Sequence, residues 1–282
     1  MATIAFDHRV SLIHPTAIVD RKAQLAPDVT IGPFCVIEGN VQLAAGVVVH
    51  SHSVIQGTTL VGPGCQIGPG AYVGLPPQHT NFDSRNETFL VLGEKNVIRE
   101  GAQVHRATKG GIENATRIGD RCMLMACSHV AHDCKVGNDV LFANTVALGG
   151  FVEVGDRAFL GGGAKVHQFC RVGRLSIIGG GEAATMDVPP FGAMRYYGLK
   201  GYNVVGCRRA GFSRESMAAI RAAYFCIHTN RSMNRAVAAI QQTVPQLPEV
   251  RELLEFIATS KRGIVPSVRW IANSIYSTDR ED

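Results

Sequence analysis

An aliphatic side chain returns at every sixth position over most of this chain. From Ile13 the series runs Val19, Leu25, Ile31, Ile37, Leu43, Val49, Ile55, Val61, Ile67 and Val73. The next residue is often glycine or another small one, most clearly in Ile31-Gly32-Pro33, Val61-Gly62-Pro63 and Ile67-Gly68-Pro69. The frame lapses over 74–89, resumes shifted at Leu92, Ile98 and Val104, and lapses again over 107–117. A last run links Ile118, Leu124, Val130, Val136, Phe142, Leu148, Val154, Leu160, Val166, Val172 and Ile178.

A period of six matches neither a 3.6-residue helix nor simple strand alternation. It suits a short strand and a tight turn repeated, with Gly, Asn, Asp and Pro at the corners. Each unit buries its aliphatic residue only if the chain coils and the next rung covers it. The expected fold is therefore mainly β: a parallel β-helix of hexapeptide repeats over residues 1–190, with insertion loops near 74–89 and 107–117. Three hexads per turn put residues eighteen apart on one edge.

The period stops after Asp187-Val188-Pro189-Pro190, and residues 191–282 read as a small helical domain covering one end of the coil. Ser213 reads as an N-cap before Met217, Ile220, Tyr224 and Ile227 at helical spacing. A second helix is expected from Ser232 to Val244, and a third from Pro248 to Ser260 before Gly263. The residues from Ser267 onward read as a loosely held tail, with Trp270 packing it.

Composition adds limits. With 46% hydrophobic residues and a formal charge of +5 in 282 residues, the chain is neither disordered nor strongly basic. Nucleic acid is not expected as a partner. The apolar runs are too short for a membrane span, and the N-terminus lacks a secretory stretch, so the cytoplasm is the expected location. Eight scattered cysteines form no CxxC pair and read as buried free thiols.

The candidate chemistry centres on Cys127-Ser128-His129-Val130-Ala131-His132-Asp133-Cys134. Two histidines flank the inward Val130, and a carboxylate directly follows His132. A histidine paired with a carboxylate is held in one tautomer as a base. On spacing alone, such a base on the solvent side of the coil and two ordinary surface histidines both remain open. Metal binding lacks a third ligand at convincing spacing, although His105 lies within reach of another coil. Eighteen residues beyond His132 comes Gly150, and eighteen further Gln168, beside His167. A glycine there exposes an N–H where an oxyanion could be held during acyl transfer.

Several segments, in order, carry a family resemblance: His129-Val130-Ala131-His132-Asp133-Cys134, Val166-His167-Gln168-Phe169-Cys170, Asp187-Val188-Pro189-Pro190, Arg209-Ala210-Gly211-Phe212-Ser213-Arg214-Glu215 and Ser260-Lys261-Arg262-Gly263. Over Ser11 to Ile264 the chain resembles the acyl-[acyl-carrier-protein]–UDP-N-acetylglucosamine O-acyltransferases. The resemblance implies a left-handed parallel β-helix and a homotrimer with active sites between subunits. It also implies acyl transfer from acyl carrier protein to the 3-hydroxyl of a UDP-sugar, the first step of lipid A synthesis. His132 would be the base, Asp133 its orienting partner, and the Gly150 N–H the oxyanion donor. His129, His167 and Gln168 would line the substrate, Asn203 and Arg209 would hold the UDP, and Gly180 would leave room for a longer acyl chain. Acyl carrier protein would deliver the chain on its phosphopantetheine arm, with no metal or other cofactor. Its acidity agrees with the +5 charge.

The chain also departs from the family. Where the family usually carries Asp and Lys in the first loop, it reads Gln78-His79-Thr80-Asn81-Phe82, leaving His79 and Asn81 as candidate replacements. Phe151 stands where a histidine usually follows the oxyanion glycine. Val205 and Ala210 replace the usual Glu and second Arg near the UDP. These changes keep open an altered acceptor, such as a 3-amino sugar, and a non-catalytic trimeric paralogue that binds a sugar nucleotide. A metal-dependent hexapeptide enzyme of the carbonic-anhydrase type is disfavoured for want of a third histidine.

Overall fold

The structure, a computed structural model, describes residues 12–230 and 232–269. They fall into two compact units that divide between Cys127 and Ser128. The six-residue frame folds as expected in both, into short strands on three parallel sheets.

In the first unit, register partners stand eighteen residues apart. Val36 lies against Val54, Leu43 against Val61 and Val49 against Ile67. The predicted aliphatic positions point inward: Ile37, Ile55, Ile67 and Val73 have no accessible surface. Burying each such side chain contributes about 1.5–3 kcal/mol, so three inward aliphatic columns, one from each sheet, stabilise the rungs. The two loops lengthen the connection without breaking the ladder. Strands Phe89–Leu92 and Thr116–Ile118 still pair in parallel, on either side of residues 106–115.

The second unit repeats the pattern: His129 pairs with Ala147, Ala147 with Lys165, and Lys165 with Ala183. Its corners turn through residues with positive φ. Asp133 (62°), Phe151 (60°) and Phe169 (65°) form one such column, and Thr145, Gly163 and Gly181 another. Asp tolerates this region, whereas phenylalanine does so only under constraint. The triplets Gly161–Gly163 and Gly179–Gly181 are close-packed corners, since the Gly181 N–H donates to the Gly162 carbonyl.

Beyond the coil, strands Gly192–Arg195 and Gly198–Tyr202 form an antiparallel hairpin that the hexad frame does not signal. Its tip uses Tyr196 and Tyr197, both at positive φ and both exposed. This conformation is usually given to Asn-Gly. Here the Glu182 carboxylate holds it, accepting both tyrosine N–H groups at 2.7 and 2.8 Å.

Four helices follow: α1 (Val204–Arg209), α2 (Arg214–Thr229), α3 (Met233–Thr243) and α4 (Pro248–Ala258). Ser213 caps α2 and Ser232 caps α3 through their hydroxyls, and Pro248 opens α4, as the sequence predicts. Helix α1 was not anticipated, being too short to show a period. The helices are tied to the last coil by buried charge. Asp187, 1% exposed, accepts from the Arg171 N–H, from Arg171 Nε and from Ser260 Oγ. Ile264 then adds a parallel bridge to Asp187, extending the ladder over the coil's end.

Two expectations need correction. The tail is not loose at its start: Ser267 is buried, bridges Leu199, and hydrogen-bonds His228 Nδ1 at 2.6 Å. Trp270 and the residues after it lie outside the described residues. Seven cysteines are buried as expected, but Cys127 is exposed.

Candidate active site

Strand His129–Val130 turns Val130 into the core, and the corner that follows presents Ala131, His132 and Asp133. Asp133 takes the left-handed corner conformation, which swings its carboxylate back toward the preceding residue. His132 Nδ1 and Asp133 Oδ2 are 2.7 Å apart. A carboxylate only accepts, so Nδ1 is the donor, and in the neutral ring Nε2 is then the basic nitrogen. The His132 side chain is 10% exposed and that of Asp133 7%. This corrects the solvent-side placement expected from the sequence: the base stands in a sheltered niche where its hydrogen bond is strengthened.

The eighteen-residue arithmetic holds at this corner. The Phe151 N–H donates to the His132 carbonyl at 3.1 Å, and the Phe169 N–H donates to the Gly150 carbonyl at 3.0 Å. Cys134 Sγ adds a bond to the Gly149 carbonyl. Successive corners are thereby fastened, with Gly150 stacked on the imidazole. A Cβ on Gly150 would lie 2.5 Å from His132 Cε1, and one on Gly149 would lie 2.8 Å from the Gln168 N. Close approach, not turn geometry, requires both glycines. The Gly150 N–H meets no acceptor among the described residues. A donor beside a general base can hold charge developing on a carbonyl oxygen.

The neighbouring column is aromatic. Phe151 meets His132 edge-on at 5.5 Å and stacks on Phe169 at 4.9 Å with 15° between planes. Sequence reasoning named Phe151 but missed Phe169, which the same eighteen-residue step places directly over it. Gln168 and His167 are exposed on the next rung. Arg262 Nη2 lies 3.2 Å from His167 Nδ1, which also stands 3.1 Å from the Gln168 carbonyl. Nothing in the sequence signals a contact across 95 residues. His129 is half-buried at the strand before the corner.

Other predicted residues lie elsewhere. Gly180 sits on a different corner, above Gly162. Asn203 and Arg209 line a cavity of about 590 Å³ together with Val205, Ala210, Arg157 and Ile177. Asn203 also has structural work. Its Oδ1 caps α1 by accepting from the Gly206 N–H, and its Nδ2 donates to the Leu175 carbonyl. His79 and Asn81 lie in an exposed loop of the first unit, where the Asn81 N–H donates to His79 Nδ1.

Comparison with known proteins bears on the same segments. Residues 187–265 match the family model described as UDP N-acetylglucosamine O-acyltransferase, domain 2. Residues 22–57 and 115–150 match bacterial transferase hexapeptide repeats. An acyl-[acyl-carrier-protein]–UDP-N-acetylglucosamine O-acyltransferase of Halorhodospira halophila is 45% identical over 90% of this chain and 98% of its own length. One from Sinorhizobium fredii is 43% identical over 87% and 92%. The UDP-N-acetylglucosamine acyltransferase structure of Francisella novicida aligns with a TM-score of 0.87, at 31% identity over 92% of this chain and 96% of that one.

Proposed function

The chain belongs to the acyl-[acyl-carrier-protein]–UDP-N-acetylglucosamine O-acyltransferase family, and from that membership we infer its reaction. It moves a hydroxyacyl chain from acyl carrier protein to the 3-hydroxyl of UDP-N-acetylglucosamine, the first step of lipid A synthesis.

The observation that carries the mechanism is the Asp133–His132–Gly150 arrangement. With Nδ1 committed to Asp133, His132 Nε2 takes the proton of the acceptor hydroxyl as its oxygen attacks the thioester carbonyl. The carbonyl oxygen becomes an oxyanion, and the Gly150 N–H holds it. Collapse breaks the carbon–sulfur bond, and the departing phosphopantetheine thiolate takes the proton back from the imidazolium. The reaction balances without a resident cofactor or metal, because the donor brings its own arm.

Asn203 and Arg209 would hold the UDP, with Arg209 and Arg157 both presenting guanidinium groups at that cavity. Their cavity lies over the Phe159 and Ile177 strands, while His132 stands at another corner of the same unit. A homotrimer with sites shared between neighbouring subunits would unite the two sets, and we propose that assembly. The donor protein is acidic, and the +5 charge favours its approach. Among the described residues no helix is long and apolar enough to cross a membrane. A soluble acyl carrier protein as donor favours the cytoplasm.

The test is product analysis. Hydroxyacyl carrier protein with UDP-N-acetylglucosamine should yield the 3-O-acyl ester by mass spectrometry. A product only with the 3-amino analogue would change the acceptor and keep the chemistry. No product with either would overturn the assignment.

A further inference from the structure

We propose that Arg157 is a diphosphate-binding residue, which with Arg209 forms a two-guanidinium clamp on the sugar nucleotide. The coil, and not α1 alone, then recognises the charged part of the acceptor. The inference rests on the nucleotide reading of the cavity at Asn203 and Arg209 given above.

That cavity is lined in two ways. Leu141, Phe159, Ile177 and Val205 make part of it apolar, and Arg157 and Arg209 bring positive charge from two different elements. Arg209 belongs to the last turn of α1, whereas Arg157 sits on a corner of the coil. Asp139, one rung before Arg157, is the carboxylate in the lining. Two guanidinium groups therefore stand against one acid, and the charge left over is positive. An apolar surface beside paired cations suits a ligand that joins a flat ring to a multiply charged anion, as a nucleoside diphosphate does.

The backbone, not a salt bridge, holds Arg157 at this place. Its φ is 57°, in the left-handed region, and its N–H donates to the Asn138 carbonyl at 2.8 Å. On the next rung the Leu175 N–H donates to the Asp156 carbonyl at 2.9 Å, and the Leu175 carbonyl accepts from Asn203 Nδ2 at 2.8 Å. These bonds run from the Arg157 corner to the residue that caps α1, so the two arginine-bearing elements are fixed relative to each other. Among the described residues the Arg157 guanidinium makes no ion pair and no hydrogen bond. The fold thus has no use for a charged fork there, while a phosphate accepts two parallel N–H bonds from one. Ala210, next to Arg209 in the same lining, brings no charge. Among the lining residues, Arg157 supplies the second cation that a diphosphate can use.

The full-length protein is tested by titration with UDP-N-acetylglucosamine and UDP, followed by calorimetry, and with uridine, followed by ligand-observed NMR. Arg157→Asn removes the charge and accepts the left-handed corner. Its dissociation constants for UDP-N-acetylglucosamine and UDP should rise about tenfold, and that for uridine by less than about twofold. In acyl transfer the KM for the UDP-sugar should rise by the same factor with kcat within about threefold, as for a contact made equally in ground and transition states. Adding Ala210→Arg, which returns a guanidinium at the end of α1, should recover most of the lost affinity. If Arg157→Asn does not fold, Arg157→Gly, which suits the same corner, carries the same expectations. Unchanged UDP affinity overturns the clamp. Equal weakening of uridine also overturns it, because Arg157 would then belong to the cavity's packing. So does a lower melt or a dissociated assembly with UDP affinity intact, since the guanidinium would then serve a subunit contact. Wild-type protein that neither binds UDP nor transfers acyl groups overturns the nucleotide reading itself. Wild type that does both, beside an Arg157→Asn variant that binds UDP equally, overturns only the clamp.

Discussion

Gly150 lies against His132 so closely that no side chain fits between them. A Cβ at residue 150 would stand 2.5 Å from the imidazole Cε1 and 2.9 Å from Nε2. The glycine thus does two things at once: it leaves the ring in place and sets an N–H next to it.

Replacing that glycine tests the relationship. Gly150→Ala needs no unusual backbone, so the coil should fold with a loss of about 1–3 kcal/mol from overpacking. The ring must shift, however, and a displacement near 1 Å can cost about 100-fold in rate. The expected result is a kcat lowered about 100-fold with a cooperative melt retained. Wild-type turnover would show that the close approach has no catalytic meaning.

Asn203 is expected to matter for stability as well as for nucleotide. Asn203→Ala removes the α1 cap, worth about 0.5–2 kcal/mol, and strips the Leu175 carbonyl of its donor. Asn203→Asp keeps an acceptor for the Gly206 N–H but sets a carboxylate beside that carbonyl. Both variants should melt below wild type in the absence of any ligand. An unchanged melt would confine the residue to binding.

The thiols should separate by reactivity. Burial, the largest cause, pushes the Cys134 thiol up to about 12. At pH 8 only about one in 10,000 of these groups is then a thiolate. Cys127 is exposed, so brief alkylation of the folded protein should label it first, as peptide mass spectrometry would record. Labelling of Cys134 at a similar rate would contradict the packing of the corner it anchors.

Much of this was legible in the chain because a repeat converts sequence distance directly into space. Adding eighteen to His132 locates Gly150, and the structure puts them in contact. The same step from Phe151 finds Phe169. The reading fails where the repeat stops. Helix α1 has six residues, too few to show a 3.6-residue period. The hairpin tip hides because Tyr196 and Tyr197 occupy positions that normally announce themselves as glycine or asparagine. The shelter around His132 was missed since burial at a corner comes from rungs on either side, not from the corner's own residues. Arg262 reaching His167 is a tertiary contact with no local signal.

The central claim is that His132, oriented by Asp133, is the general base. The direct measurement is acyl transfer from hydroxyacyl carrier protein to UDP-N-acetylglucosamine by His132→Ala, with its melt followed in parallel. A positioned base contributes about 10²–10⁴-fold, so kcat should fall by that factor while the protein stays folded. Asp133→Asn, which also accepts the left-handed corner, should fall by a smaller factor. Transfer by folded His132→Ala at the wild-type rate would contradict the account.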